Sequence, residues 1–193
     1  MMKQSFPDME LSKAILDRRS CRSYDTEKKV TEDQLKEILE YGTWSPSGAN
    51  NQPWRFTVLT GDSKSEFIRV MREQIDAKEA GLSEQFLNIM KFSARSLEKG
   101  SALIVVWDKN KDWSSQQSIG ACIQTMMLKA YDMGLGTLWS GAVRVAADEY
   151  KKLYGKEDMD LIAAVGVGYP SENMKGKEGP PRLPVEEVTE FRS

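Results

Sequence analysis

The sequence predicts an α+β domain whose sheet is mixed or antiparallel. Three short runs have strand character, "RFTVLTG", "SALIVVW" and "DLIAAVGVGYP", and segments with helical spacing separate them. No G-x-G-x-x-G pattern follows a first strand and opens a helix, so a doubly wound dinucleotide fold is not expected.

Taken in order, residues 9–17 carry Met9, Leu11, Ala14 and Ile15 at helical spacing and run straight into "RRSCRSY". The stretch "VTEDQLKEILEYG" then offers Thr31 as an N-cap with Gln34 three residues on, a stripe of Leu35, Ile38 and Leu39, and Gly42 as the stop. After the turn-rich loop "SPSGANNQPWRF", residues 55–60 alternate, are rich in β-branched side chains, and read as a strand ended by Gly61. Residues 63–79 and 83–98 form two amphipathic helices separated by Gly81.

The continuous apolar run 101–107 reads as a strand buried on both faces. The helix predicted over 114–133 includes "IGACIQTMMLKAYDMG", which is apolar around more than one stripe. Such a helix must be covered on most sides, by its own domain or by a second copy of the chain. "GLGTLWSGAV" reads as a helix C-cap followed by a tight turn, or as backbone drawn close to a flat ligand. A short helix over 147–154 and a core strand over 160–170, ended by Pro170, complete the predicted elements. The whole chain, 1–193, is expected to be one domain, with 171–193 as an extended C-terminal arm rich in Gly, Pro and Lys over its first part.

Charge and composition then exclude several functions. Lys and Arg number 27 against 29 for Asp and Glu, leaving no general basic field for nucleic acid or an anionic membrane, so any anion site must be local. No signal-like or membrane-length apolar run is found, and a cytoplasmic protein is expected. Cys21 and Cys122 lie far apart without C-x-x-C spacing, which predicts reduced thiols and no metal site. The count of histidines is zero. That removes Ser-His-Asp triads, Cys-His pairs and H-E-x-x-H zinc sites, and leaves a lysine, a carboxylate or a cofactor to carry any chemistry.

Four motifs carry candidate chemistry. "RRSCRSY" crowds Arg18, Arg19 and Arg22 beside the hydroxyls of Ser20 and Ser23, an arrangement found either fully solvated or wrapped around an anion such as phosphate. "SPSGANNQPWRF" holds the amides of Asn50, Asn51 and Gln52 between Pro46 and Pro53. Those residues serve an ordinary turn, or a ligand whose edge alternates carbonyls and ring nitrogens. Ser140 and Gly141 lie where backbone amides would face a flat ligand, and Arg182 stands among prolines in the tail as a candidate anion clamp.

Together these motifs, with "AVGVGYP" on the last strand and "RLP" in the tail, resemble the FMN-dependent nitroreductase family over nearly the full length of the chain. The resemblance implies a nitroreductase-like homodimer with two FMN sites at the subunit interface and NAD(P)H as electron donor. Arg18, Ser20 and Arg22 would meet the pyrimidine edge, ribityl chain and phosphate of the flavin, with Arg19 beside them. Pro46, Ser47 and Asn50 would reach the same flavin from the other subunit, with Gln52 and Trp54 supporting their loop. Backbone near Ser140 and Gly141 would face flavin N5 and O4, and Arg182 would pair with the phosphate. The resemblance names no catalytic side chain, and the chemistry would lie on flavin N5 with the backbone of Ser140 and Gly141 nearby.

The implied activity is a ping-pong transfer of hydride from NAD(P)H through FMN to a small acceptor such as a nitroaromatic or a quinone. Alternatives are a specialised flavin enzyme of the same fold (enone reduction, dehalogenation or flavin breakdown) and a non-catalytic protein that binds a phosphorylated ligand. The central helix would bury Cys122, Met126 and Met127 against its twin. Two departures from the family pattern stand out: Pro180 takes the place of a frequent tail lysine, and Ser93 and Ser96 stand where some members supply an asparagine and a lysine.

Overall fold

The computed structural model describes residues 11–174 and 178–192. Its centre is β2 (Ala102–Asp108), in which every residue is buried. The cause is visible in the alternation of a strand's side chains. Ala102, Ile104 and Val106 enter one hydrophobic core, while Leu103, Val105 and Trp107 enter a second on the other face. A strand that feeds two cores has no polar face to show, which is why its sequence is an unbroken apolar run.

β2 pairs antiparallel with β1 (Trp54–Leu59) on one side and with β4 (Asp160–Gly168) on the other. β3 (Gly136–Ser140) pairs antiparallel with β4 and closes the order β1-β2-β4-β3. The sheet is therefore antiparallel throughout, with one isolated parallel bridge from Ser20 to Thr137 at the β3 edge.

On the first face lie α2 (Glu32–Thr43) and α5 (Ser115–Asp132), contributing Leu35, Ile38, Ile119, Ile123 and Met126. The second face is covered by α3 (Gly61–Ala77), α4 (Glu84–Lys99) and α6 (Ala147–Tyr154). There Tyr150 stacks on Phe67 with ring centroids 3.9 Å apart. The first helix, α1 (Leu11–Asp17), leads to the arginine-rich segment, and Met9 lies outside the described residues.

The Thr31 capping box forms as expected: Gln34 N donates to Thr31 Oγ1 at 3.2 Å and Thr31 N donates to Gln34 Oε1 at 3.0 Å. Gly42, however, does not end that helix. It is buried inside α2, and a Cβ there would stand 2.5 Å from Met126 Cγ and 3.3 Å from Cys122 Sγ. The glycine is a contact residue that lets α2 approach α5.

The same contact corrects the expectation for Cys122, Met126 and Met127. All three are buried within the chain's own core, under α2 and the sheet, and need no twin to cover them.

β3 is the element that the sequence did not predict. Gly134 (φ 74°) does follow the end of α5 as a left-handed cap residue, but the next residues enter the sheet as an edge strand. Five residues flanked by glycines carry too little alternation to be read locally, and pairing with β4 supplies the reason for their conformation. Among the described residues no helix is long and apolar enough to cross a membrane.

Candidate functional site

The arginine-rich segment is held by bonds to the β3 edge, within itself and to the residue that follows β4. Cys21 N donates to Thr137 O at 2.8 Å, Tyr24 Oη donates to Cys21 O at 3.0 Å, and Asp25 N donates to Tyr169 O at 2.8 Å. Gly136 leaves room for this crossing, since a Cβ there would lie 2.6 Å from Cys21 Sγ. Cys21 therefore serves as a buried packing residue, and burial pushes its thiol pKa up. Burial pushes Cys122 up to about 12, so neither thiol has the character of a nucleophile.

With the backbone tied down, the side chains of Arg18 and Arg19 gather beside the tail. Arg18 Nε and Nη1 and Arg19 Nε are buried and have no hydrogen-bond partner. Burial lowers the pKa of Arg18, and the positive charges of Arg19 and Arg182 lower it further. The tail passes directly over Arg19, where Gly179 leaves no space for a side chain, and Arg182 Nη1 donates to Pro180 O at 2.7 Å. Among the described residues none of the three arginines pairs with a carboxylate. Like charges held together with orphaned donors fit an anion that offers several oxygen acceptors.

Arg22 stands apart from this trio. Its Nη1 lies 3.4 Å from Ser20 O and its guanidinium is 6.0 Å from the ring centroid of Phe92 on α4. Phe92 continues an exposed apolar row with Phe86 and Ile89, separate from the buried row of Met90, Ala94 and Leu97. This row is not among the candidate site residues that the sequence motifs point to. Its signal was that α4 carries more apolar side chains than one helix face can bury.

Ser140 ends β3, is buried, and leaves its Oγ without a partner, while Gly141 follows it exposed to solvent. Ser96 is buried and donates its hydroxyl to Phe92 O at 2.9 Å within its own helix, so it is occupied in backbone bonding.

The amide loop is built with unusual backbone. Ala49, Asn50 and Gln52 have φ of 49°, 56° and 45°, the left-handed region that L-residues enter at a cost. Internal bonds hold this shape: Asn50 N to Ser47 O at 3.0 Å, Gln52 N to Ser47 Oγ at 3.1 Å, and Gln52 Nε2 to Asn50 Oδ1 at 3.2 Å. Pro46 and the amides of Asn50, Asn51 and Gln52 face solvent, and Ser45 Oγ is anchored to Thr125 Oγ1 at 2.8 Å. Three strained residues in an exposed, bonded loop make it a candidate functional surface.

The two clusters stand at opposite corners of the sheet. The amide loop enters β1 at Trp54, level with Asp108 and Asp160, whereas Ser20 bridges Thr137, level with Val167. The sheet thus separates them by roughly 14 Å across the strands and about 23 Å along them. A single chain brings Arg18, Arg19 and Arg182 together and leaves Ser47, Asn50 and Gln52 away from them. Among the described residues no group of three His, Cys, Asp or Glu could hold a metal ion.

Known proteins share this architecture. The chain is similar to a chloronitrobenzene nitroreductase of Comamonas testosteroni, with 25% identity over 218 aligned positions covering 92% of this chain and 94% of that protein. It superposes on a BluB-like flavoprotein from Clostridium difficile 630 with a TM-score of 0.81 and 23% identity, over 96% of this chain and 100% of the other. It also superposes on the FMN-dependent nitroreductase NfnB of Mycobacterium smegmatis, solved in complex with NADPH. That match has a TM-score of 0.78 and 17% identity, over 94% of this chain and 97% of the other. The model of the nitroreductase family matches residues 15–169, from the arginine-rich segment to the end of the last strand, and the chain belongs to that family.

Proposed function

We propose that this protein is an FMN-dependent oxidoreductase that carries hydride from NAD(P)H to a small electrophilic acceptor, a nitroaromatic or a quinone. The observation that carries the reading is the gathering of Arg18, Arg19 and Arg182, with buried, unpartnered guanidinium nitrogens on Arg18 and Arg19. This donor set suits the phosphate end of FMN, and Arg19, under the tail at Gly179, supplies charge that Pro180 does not. Bound FMN would supply the hydride chemistry, which agrees with a chain that has no histidine. The names of the relatives support the same reading: one reduces a chloronitrobenzene and another is FMN-dependent and was solved with NADPH.

Each part of the chain has a role in this reading. Arg18, Arg19 and Arg182 hold the phosphate, Ser20 and Arg22 lie along the ribityl and pyrimidine side, and backbone near Ser140 and Gly141 orients the ring edge. The amide loop, with Pro46, Ser47, Asn50 and Gln52, completes the site of a second copy, because within one chain it stands at the far corner of the sheet. The exposed row of Phe86, Ile89 and Phe92 beside Arg22 offers an apolar wall to a flat acceptor, with a cation near its rim for electron-rich oxygens.

The test is an absorption spectrum of freshly purified protein, followed by anaerobic addition of NADPH and then NADH. A flavin band near ~450 nm that bleaches supports the reading. Protein that stays colourless after FMN is added, yet binds phosphorylated ligands, would leave the arginines as a non-catalytic phosphoryl site.

A further inference from the structure

We infer that Asp108, buried at the end of β2, is a positioning residue for the amide loop, acting through the turn that joins β2 to α5. The inference rests on the proposed FMN site, because its readout is cofactor affinity.

Asp108 is 1% exposed and its carboxylate is fully engaged. Oδ1 accepts from Asn110 N at 2.9 Å and from Lys111 N at 3.0 Å, and Oδ2 accepts from the Ser115 hydroxyl. These bonds fold residues 109–114 back on the strand, with Lys111 in the left-handed region at φ 58°. A second carboxylate locks the other end: Asp112 Oδ1 accepts from Ser114 N at 2.8 Å, Ser114 Oγ at 2.7 Å and Ser115 N at 2.8 Å.

The locked turn grips the amide loop at two points. Lys109 N donates to Pro53 O at 2.9 Å, where the loop enters β1. At the other point Ser114 lies against Gly48, close enough that a Cβ on Gly48 would meet Ser114 Oγ at 3.3 Å. Ser114 Oγ is tied to Asp112 and does not yield freely. Between these two points lie the three left-handed residues, Ala49, Asn50 and Gln52. Their backbone conformation is costly in isolation and persists where neighbouring structure over-determines it. The turn held by Asp108 supplies that constraint, so the carboxylate sets where the Asn50 and Gln52 amides stand without touching a ligand.

The test is the FMN dissociation constant of the apoprotein, titrated by flavin fluorescence quenching, for wild type, Asp108→Asn, Gly48→Ala and Gly48→Ala/Ser114→Ala. Asp108→Asn and Gly48→Ala are expected to raise the constant roughly tenfold, the equivalent of one cofactor hydrogen bond lost to misplacement. Adding Ser114→Ala removes the Oγ that Gly48→Ala would strike and leaves in place the backbone donors to Asp112 Oδ1 and Asp108 Oδ1 that hold the turn, so it is expected to restore most of the affinity. Melting temperatures of the FMN-free variants, expected to stay near that of wild type, separate this effect from a general loss of stability, which would lower them together with the affinity. The Gly48 pair leaves the buried carboxylate in place, so it reads the coupling even where Asp108→Asn folds poorly. Wild type that binds FMN, with Asp108→Asn and Gly48→Ala both unchanged, overturns the inference alone, as does a Gly48→Ala defect that persists in the double variant. Wild type that binds no FMN overturns this inference together with the proposed function.

Discussion

Arg18 and Arg182, from opposite ends of the chain, lie close enough that the charge of the tail residue lowers the pKa of its neighbour. Two guanidiniums brought together beside buried, unpartnered nitrogens are unfavourable until an anion joins them. Arg18→Ala is therefore expected to act oppositely on two measurements. FMN binding weakens by about 1.5–3 kcal/mol, the range for a lost charge-assisted bond. The melting temperature of the FMN-free protein does not fall, because a repulsive charge has gone. Loss of stability without loss of FMN affinity would remove Arg18 from the site.

The separation of the amide loop from the arginine cluster predicts complementation between copies. Arg18→Ala and Asn50→Ala variants each bind FMN poorly as pure preparations. Mixed and allowed to exchange subunits, they rebuild one intact site per heterodimer, so about a quarter of all sites recover if the dimer is symmetric. Titration of the mixture with FMN reads the fraction directly. No recovery after confirmed subunit exchange would mean that both residues serve the same chain's site, or that the loop serves none.

Gly42→Ala tests the contact between α2 and α5. The new Cβ would meet Met126 Cγ at 2.5 Å and Cys122 Sγ at 3.3 Å, both in the core. Urea denaturation is expected to show a loss of about 1–3 kcal/mol, the usual cost of overpacking. Adding Met126→Ala makes room, so the double variant is less destabilised than the sum of the single ones.

Alkaline pH is expected to destabilise the fold. Burial raises the pKa of Cys122 from 9.0 to about 12 and that of Tyr154 from 10.0 to about 12. It also raises Cys21, Tyr24 and Tyr150. The unfolded chain loses these protons at lower pH than the native one. Stability is thus fully present below the unfolded values and falls as pH rises from 9.0 towards 12. Lys64, whose pKa is lowered by burial and by Lys29, and Arg18, lowered by burial and by its neighbouring arginines, act in the opposite sense but are outnumbered by the buried thiols and phenols. Urea midpoints measured at increasing pH check the slope, and a flat profile across this window would contradict it.

Much of the fold is legible in local pattern. The Thr31 capping box, the buried run of β2 and the helices on either side of Gly81 all rest on interactions within a few residues, which is where sequence carries structural information. The candidate site is legible in part for a similar reason. Proline, glycine and amide residues between 45 and 53 announce a shaped loop, while the crowded arginines allow either a solvated face or an anion site.

What stayed hidden depends on contacts across the chain. β3 is a strand because β4 pairs with it, and Gly42 is a packing residue because Met126 stands opposite. Asp108, at the end of an apolar run, gave no sign that its carboxylate would organise the neighbouring loop.

By itself the sequence determined the α+β class, the absence of imidazole chemistry, and a family membership carried by motifs in order along the chain. These depend on residue identity and short spacing. Only the tertiary structure decided that Arg182 joins Arg18 and Arg19 while Arg22 turns to Phe92, and that the amide loop lies at the far corner of the sheet. Those outcomes are set by strand order and by the path of the tail, which bring together residues that no local interaction connects.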